Sequence, residues 1–521
     1  MRFTEIADYS VRPGEAAQWS VSPAEGAEPV PDPRPPSHLQ QAHVRARAER
    51  GAASDPSWLA IGFDLDGPLD EPAWRAALLR WVDRHETLRS ALRSDGGEVR
   101  RRTWAPGRSV ISRDALGTFR EPAEISDALR ELFNARTDPT SWPSYVFATV
   151  TRADSCTVCL AFDHGNVDGY SILLVLHEIR ELYLAARGGR AADLPAVAEI
   201  GSYVDFCARE REYTDGFERS DEPVARWAEF LADCGGAPPG FPLPAGAPFA
   251  ADGSRQHGLC EWLVDADGAA AFEQACRRNG GSAFSGALAA LALAAARPGA
   301  ADAPDRFRAL LLLHTRSARS WARSVGWFVG LAPVELALPV GVTAAGAAGV
   351  PDGVDLLDLL PSAGAALRRA KPLSTVPVPK VAELLGVELP PRFVVSYMDL
   401  RSSPGARCWA ESNARALHAP ASSADEVYLW VMRSVEGIYV TSRFPGAEQA
   451  DAAVREYVAR LGCLVRAAAA TADPDLVPEF APLWTDVELH DQVGSGARTP
   501  VGAGTRHTGL DHDVVLKGTR P

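Results

Sequence analysis

Lysine is nearly missing from this chain: it stands only at Lys371, Lys380 and Lys517, among 53 basic residues. Arginine carries the remaining positive charge, a bias that a GC-rich genome imposes and that says little about function. Acidic residues outnumber basic ones, and a formal charge of -14 at pH 7 excludes an extended nucleic-acid face, which needs concentrated positive charge. No apolar run reaches the ~18 residues that a membrane-spanning helix needs. The N-terminus MRFTEIADYS has neither the basic nor the apolar region of a signal peptide, so a cytoplasmic protein with no membrane span is expected. Cysteine is sparse, eight residues in 521, which excludes a disulfide framework and leaves reduced thiols. Cys156 and Cys159 form a C-x-x-C, but inside the apolar run SCTVCLAF and without a second Cys or His pair at zinc spacing. The expected metal complement is none.

What is present is enough apolar residue, 46% of the chain, for two cores. A short strand is expected over residues 2–11, and the stretch 22–36, rich in proline and acid, reads as irregular. Residues 57–65 read as a strand, and Asp70 as the cap of a helix that spaces Trp74, Leu78 and Val82 four apart. Strands at 145–152 and 156–162 precede a helix from Tyr170 carrying Leu173, Leu176, Ile179 and Leu182 at helical spacing. Residues 201–235 read as helical, and the Pro- and Gly-dense stretch that follows reads as a linker. The predicted organisation is an N-terminal lobe over 1–235, a linker over 236–248, a C-terminal lobe over 249–473 and a polar, partly mobile tail over 474–521. The second lobe repeats the α/β mixture. Strands are expected at 258–264, 307–314 and 325–338, a hairpin at 426–433 and 437–444, and helices at 269–278, 284–296 and 448–470.

The segment DHGNVDG, Asp163 to Gly169, carries the chemistry. It falls at a strand-to-helix junction, where a strand end can expose an imidazole to a cleft and a glycine lets a backbone N–H approach a reacting oxygen. His164, Asp168 and Gly169 are the candidate catalytic residues. Four further pieces stand in order around them: Ser37 with Gln40, GPLD at Gly67 to Asp70, RHETLRS at Arg84 to Ser90, and HTRSARSWARSVGWFVGLAPVEL at His314 to Leu336.

Together, over roughly residues 36–470, these segments resemble the condensation-domain superfamily of nonribosomal peptide synthesis, and within it the polyketide-associated acyltransferases. The resemblance implies an α/β (α+β) fold of two chloramphenicol-acetyltransferase-like lobes, a V-shaped pseudodimer with the active site in the cleft. It implies transfer of an acyl group from a carrier-protein phosphopantetheine thioester or an acyl-coenzyme A to a hydroxyl or amine of a natural-product or lipid acceptor. His164 is then a general base or a nucleophile-positioning group, and the Gly169 N–H receives the charge of the oxyanion. Asp168 pairs with a buried arginine; Arg84, Arg89 and Arg316 are the candidates, with Arg316 favoured. Asn166, Trp327 and Phe328 are expected to line the cleft. An acyl or peptidyl carrier protein is the expected partner, and no tightly bound cofactor is called for.

The chain departs from the peptide-forming pattern H-H-x-x-x-D-G, because Asp163 replaces the first histidine. Neighbouring side chains of a strand point to opposite faces, so Asp163 is not expected to orient His164. The Asp-His version looks more like ester-forming acyltransferases than amide-forming condensation enzymes. A free-standing peptide condensation enzyme and a non-catalytic recruitment module remain alternatives. IGFDLDGPLD, Ile61 to Asp70, imitates the D-x-D-G-T start of haloacid-dehalogenase phosphatases, but Pro68 stands in place of the threonine and no lysine lies nearby to balance a phosphate.

Overall fold

Period-two burial along one strand, Ser155–Asp163, organises the first half of the chain. Cys156, Val158, Leu160 and Phe162 enter a core shared with Trp74, Leu78 and Trp81 of the helix Glu71–Arg84 and with Leu173 and Leu176 of the helix Gly169–Arg187. Cys159 and Ala161 enter a second core, on the other face, with Leu129 and Phe133 of the helix Pro122–Arg136. A strand covered on both faces is apolar on both, hence the unbroken run SCTVCLAF. The two cysteines of the C-x-x-C therefore lie in different cores, and burial pushes the Cys156 thiol up to about 12.

The computed structural model describes residues 1–51, 55–189, 200–242, 254–296, 305–339 and 355–472. The tail and the linker from residue 243 onward lie outside the described residues. Among them, one seven-stranded sheet runs in the order Arg2–Glu5, Arg415–His418, Trp58–Asp66, Ser155–Asp163, Tyr145–Thr151, Gly14–Pro23 and Ser109–Phe119. A second runs Val329–Ala337, Arg306–His314, Phe393–Asp399, Val427–Ser434, Gly437–Pro445, Ser254–Asp265 and Ser422–Ser423. The strand Val30–Asp32, inside the stretch read as irregular, joins a small sheet with Glu98–Thr103 and Ser90–Asp95.

The division of the sequence near Gly235 does not partition these sheets. Residues Arg415–His418, numbered with the second half, insert into the first half's sheet, parallel to Arg2–Glu5 and antiparallel to Trp58–Asp66. Leu417 sits there in the same core as Phe133 and Ala161. The apolar, Ala-rich helix Ala283–Ala295 is buried along its length because the helices Ala266–Arg278, Leu360–Leu373 and Glu448–Ala469 pack on it.

Helix caps follow the sequence closely. Asp70 accepts from Ala73 N at 3.0 Å, and Ser37 and Gln40 form a reciprocal capping box that opens the helix His38–Arg50. One expected strand is shorter than its apolar pattern. The run from 325 joins the sheet only at Val329, since the N–H of Gly326 is bound to Ser171 Oγ and that of Phe328 to Asp168. Those amides serve the other half of the molecule.

If the inserted strand ties the halves together through its core side chain, Leu417→Ala destabilises the whole protein by about 2–5 kcal/mol, the usual range for a buried leucine. The denaturant midpoint checks this, with one transition shared by probes in both halves.

Candidate active site

His164 begins a 3-10 turn, His164–Asn166, directly after the strand Ser155–Asp163. Its backbone N–H donates to Ser57 O at 2.9 Å, which fixes the exit of the chain from the sheet. The side chain is half-buried and rests on Trp327, with ring centroids 4.6 Å apart at 41°. Nδ1 is enclosed and has no hydrogen-bond partner in another residue, so the open side of the ring is that of Nε2. Burial pushes the imidazole below the ordinary histidine value. Its own carbonyl, Asp163 and Asp168 pull it up and His43 pushes it further down, and the net shift is downward. The ring is therefore neutral near neutral pH, as a proton acceptor must be.

Asp168 caps the helix Gly169–Arg187 and gathers four donors. Ser171 N reaches Oδ1 at 2.6 Å, Phe328 N reaches Oδ2 at 3.0 Å, and Arg316 binds both oxygens, at 2.7 and 3.1 Å. Arg316 also donates to Ser171 Oγ at 2.9 Å and to Ser324 O at 3.2 Å, and its guanidinium lies over the Phe328 ring at 4.3 Å. Both partners are almost fully buried, Asp168 at 2% and Arg316 at 6% exposure, and this decides the chemistry of the carboxyl. Burial alone would raise its pKa, but Arg316 and the hydrogen bonds more than offset that and hold it below the usual carboxylate value. The pair fastens the 316–328 segment of the second half to the helix start of the first.

Gly169 is the first residue of that helix, so its N–H has no acceptor within the helix and lies at the positive end of the macrodipole. A Cβ on Gly169 would meet only the Phe3 ring, at 3.7 Å, an ordinary contact. Packing does not demand glycine there. At Gly326 it does, because a Cβ would lie 2.3 Å from Tyr203 Cγ.

Residues 51–388 match the Condensation domain family. The chain belongs to this family. It is 30% identical over 346 residues to 2'-acyl-2-O-sulfo-trehalose (hydroxy)phthioceranyltransferase PapA1 of Mycobacterium tuberculosis, a match that spans 64% of this chain and 64% of that protein's length. Trehalose-2-sulfate acyltransferase PapA2 of the same species is 28% identical over 470 residues, covering 88% of this chain and 95% of that one. The solved structure of PapA2 acyl transferase superposes with a TM-score of 0.78 at 25% identity, over 90% of this chain and all of that chain. The two sheets and their helices are accordingly the two lobes of a chloramphenicol-acetyltransferase-like condensation-domain fold.

Within this condensation-domain frame the residues singled out in the sequence fall into distinct places. Arg316, not Arg84 or Arg89, meets Asp168. Arg84 pairs with Glu178 at 3.4 Å, and Arg89 donates to Trp104 O at 2.5 Å. The element RHETLRS braces the motif from below: Thr87 Oγ1 donates to Asn166 Oδ1 at 2.9 Å and His85 Nε2 meets Glu178 at 2.6 Å. Trp327 lies against His164. One expected cleft residue does not line it. Phe328 has no exposure, because it packs with Tyr203, Phe206 and Trp321 beneath Arg316. Asn166 has both ends of its amide committed, to Thr87 and to Ser144 Oγ at 2.7 Å, and works as a cross-brace.

Asp64 and Asp66 lie at the far end of their strand from the motif, since Asp66 pairs in register with Ser155 while Trp58 pairs with Asp163. Asp64 accepts from Thr157 Oγ1 at 2.6 Å. The phosphatase-like string is thus the ordinary end of a strand and the turn after it.

Sequence reading missed the second histidine of the site. His43 Nε2 lies 2.9 Å from Asp163 Oδ2, and Gln40 Nε2 donates to Gly165 O at 2.8 Å, so one face of the helix His38–Arg50 grips the motif. The spacing of Gln40 and His43, three residues apart on a capped helix, was the available signal.

Removing one partner of the Asp168–Arg316 pair strands a buried charge, so Arg316→Met costs about 3–5 kcal/mol near neutral pH and adding Asp168→Asn recovers part of it. Asp168 has a depressed pKa in the folded protein, so its stabilisation is present above the unfolded value of about 4 and is lost as pH falls through the folded one. The stability gap between wild type and Arg316→Met therefore narrows on acidification, as denaturation at a series of pH values measures.

Proposed function

We propose that this protein is an acyltransferase that moves an acyl group from a thioester, carried on a carrier-protein phosphopantetheine or on coenzyme A, to a hydroxyl of a lipid or sugar-lipid acceptor. One observation carries the reading: an imidazole whose Nε2 side is open stands at a strand end, one turn before a helix N-terminus fixed by a buried ion pair.

The chemistry follows from these groups. His164 Nε2 accepts the proton of the acceptor hydroxyl as its oxygen bonds to the thioester carbon. The carbonyl oxygen becomes an oxyanion, and the Gly169 N–H, fixed by the Asp168 cap, donates to it. Collapse of the tetrahedral intermediate expels the thiolate, which takes the proton back from His164. Acyl ester and free thiol are the products, and the reaction needs no redox step. The names of the relatives favour ester formation on a sugar or lipid hydroxyl over amide formation, since PapA1 and PapA2 are named for acyl transfer to sulfated trehalose. We place the protein in the cytoplasm. Among the described residues no helix is long and apolar enough to cross a membrane.

Turnover of a panel of acyl-carrier and acyl-coenzyme A thioesters with trehalose-type and lipid hydroxyl acceptors, read by mass spectrometry, tests the assignment. His164→Ala is expected to lower kcat by about 10²–10⁴, the usual contribution of a positioned base, with the fold intact. Wild-type rates in a folded His164→Ala protein would refute it, and binding without turnover across the panel would favour a recruitment module.

The pH profile is a second check. The imidazole is depressed, so it stays unprotonated below the ordinary histidine value, and the acid limb of kcat/KM falls below about pH 6.5. An acid limb at or above that value would contradict the enclosed ring.

A further inference from the structure

One charged cluster beside His164 has no part in the reaction just described. Asp163, where peptide-forming relatives carry a histidine, is 1% exposed. Three groups address its carboxylate. His43 Nε2 lies 2.9 Å from Oδ2 and 3.2 Å from Oδ1, Ser57 Oγ donates to Oδ2 at 2.8 Å, and the N–H of Gly165 donates to Oδ1 at 2.8 Å. The His43 ring stands edge-on to Trp327, with centroids 5.7 Å apart at 83°, so the indole that supports His164 also supports His43.

We propose that His43 is a positioning residue of this site: clamped by Asp163 and Ser57 and sharing the Trp327 indole with His164, it holds a positive charge beside the reacting imidazole and keeps that imidazole free of a proton. The inference rests on His164 being the base.

The surrounding charges are consistent with a cationic His43. Burial opposes its charge, but Asp163 outweighs it; Asp138 adds to the attraction and Arg50 subtracts from it, and the net shift is upward. Asp138 is itself engaged by Arg47. Facing His164 are His43 from the helix His38–Arg50, Asp163 from its own strand and Asp168 from the following helix, and Asp168 is neutralised by Arg316. A second proton placed on His164 would meet the charge on His43 in a poorly solvated site; Asp163 offsets part of that repulsion, but at His164 the effect of His43 is the larger of the two. Ser57 and Gly165 alone could hold a neutral amide at position 163. A carboxylate there has the further effect of fixing a cation on the helix.

The test uses the full chain with histidines isotopically labelled for NMR, and with His43→Gln and His164→Ala supplying the assignments. In the wild type, His43 is expected to be protonated and His164 neutral at about pH 7. In His43→Gln, which keeps a donor toward Asp163 without a charge, the titration midpoint of His164 moves to higher pH. The acid limb of kcat/KM moves with it, so that at about pH 5.5 the variant falls severalfold further below its plateau than the wild type does. Asp163→Asn is expected to lower the midpoint of His43, and it provides the readout should His43→Gln fail to fold.

A neutral His43 at that pH in the wild type, an unmoved His164 midpoint in folded His43→Gln, or an unmoved His43 midpoint in Asp163→Asn overturns the proposal. Failure of the base assignment is separable: His164→Ala would then turn over normally whatever the NMR midpoints do.

Discussion

The buried ion pair between Asp168 and Arg316 is the constraint on which the site depends. A carboxylate and a guanidinium taken out of water lose far more hydration than one contact returns, and such a pair persists only when further hydrogen bonds satisfy both groups. Here Asp168 receives four donors and Arg316 reaches Ser171 and Ser324 as well. Those partners belong to both halves of the chain. Satisfying the charge therefore fixes the start of the helix Gly169–Arg187 and the approach of residues 316–328 in one geometry. Trp327 arrives beside His164 because Phe328 N is bound to Asp168, and Gly326 comes close enough because it has no side chain to strike Tyr203.

The low dielectric that makes this pair costly also sets the state of the imidazole. A histidine open to water would be partly protonated just below neutral pH. Enclosed with its Nδ1 unpartnered, His164 loses hydration of the charged form and stays neutral. One desolvated corner thus holds an ion pair that resists separation and a base that resists protonation. The difference is the partner: Asp168 has a fixed cation against it, whereas Nδ1 of His164 has no polar group from another residue.

Much of this was legible in the sequence, for local reasons. Asp70 caps its helix as its position predicts, and the strand-to-helix junction at His164 follows from an apolar run meeting a glycine-bearing turn. The resemblance called for a buried arginine and left three candidates, of which Arg316 was only slightly favoured; spacing could not choose it, because Asp168 and Arg316 are 148 residues apart and meet only through tertiary packing. Phe328 was misplaced for the same kind of reason. An aromatic residue beside a cleft reads alike in sequence whether it faces the cleft or braces it, and the deciding contact, with Tyr203, is remote in the chain. The strand Arg415–His418 was invisible because four residues carry too little periodicity, and its sheet partners lie hundreds of residues away.

The exchange of histidine for aspartate at position 163 links the two kinds of information. As a change of sequence it inverts the charge available beside the base. As a structure it is balanced, since the helix His38–Arg50 brings His43 onto the same carboxylate and returns an imidazole to the site from a different element. The hydrogen bonds that the carboxylate accepts from Ser57 and from the Gly165 N–H tie the turn to the start of the strand Trp58–Asp66. The aspartate at position 163 thus meets a residue 120 positions away, and the pair has to be read together for either to make physical sense.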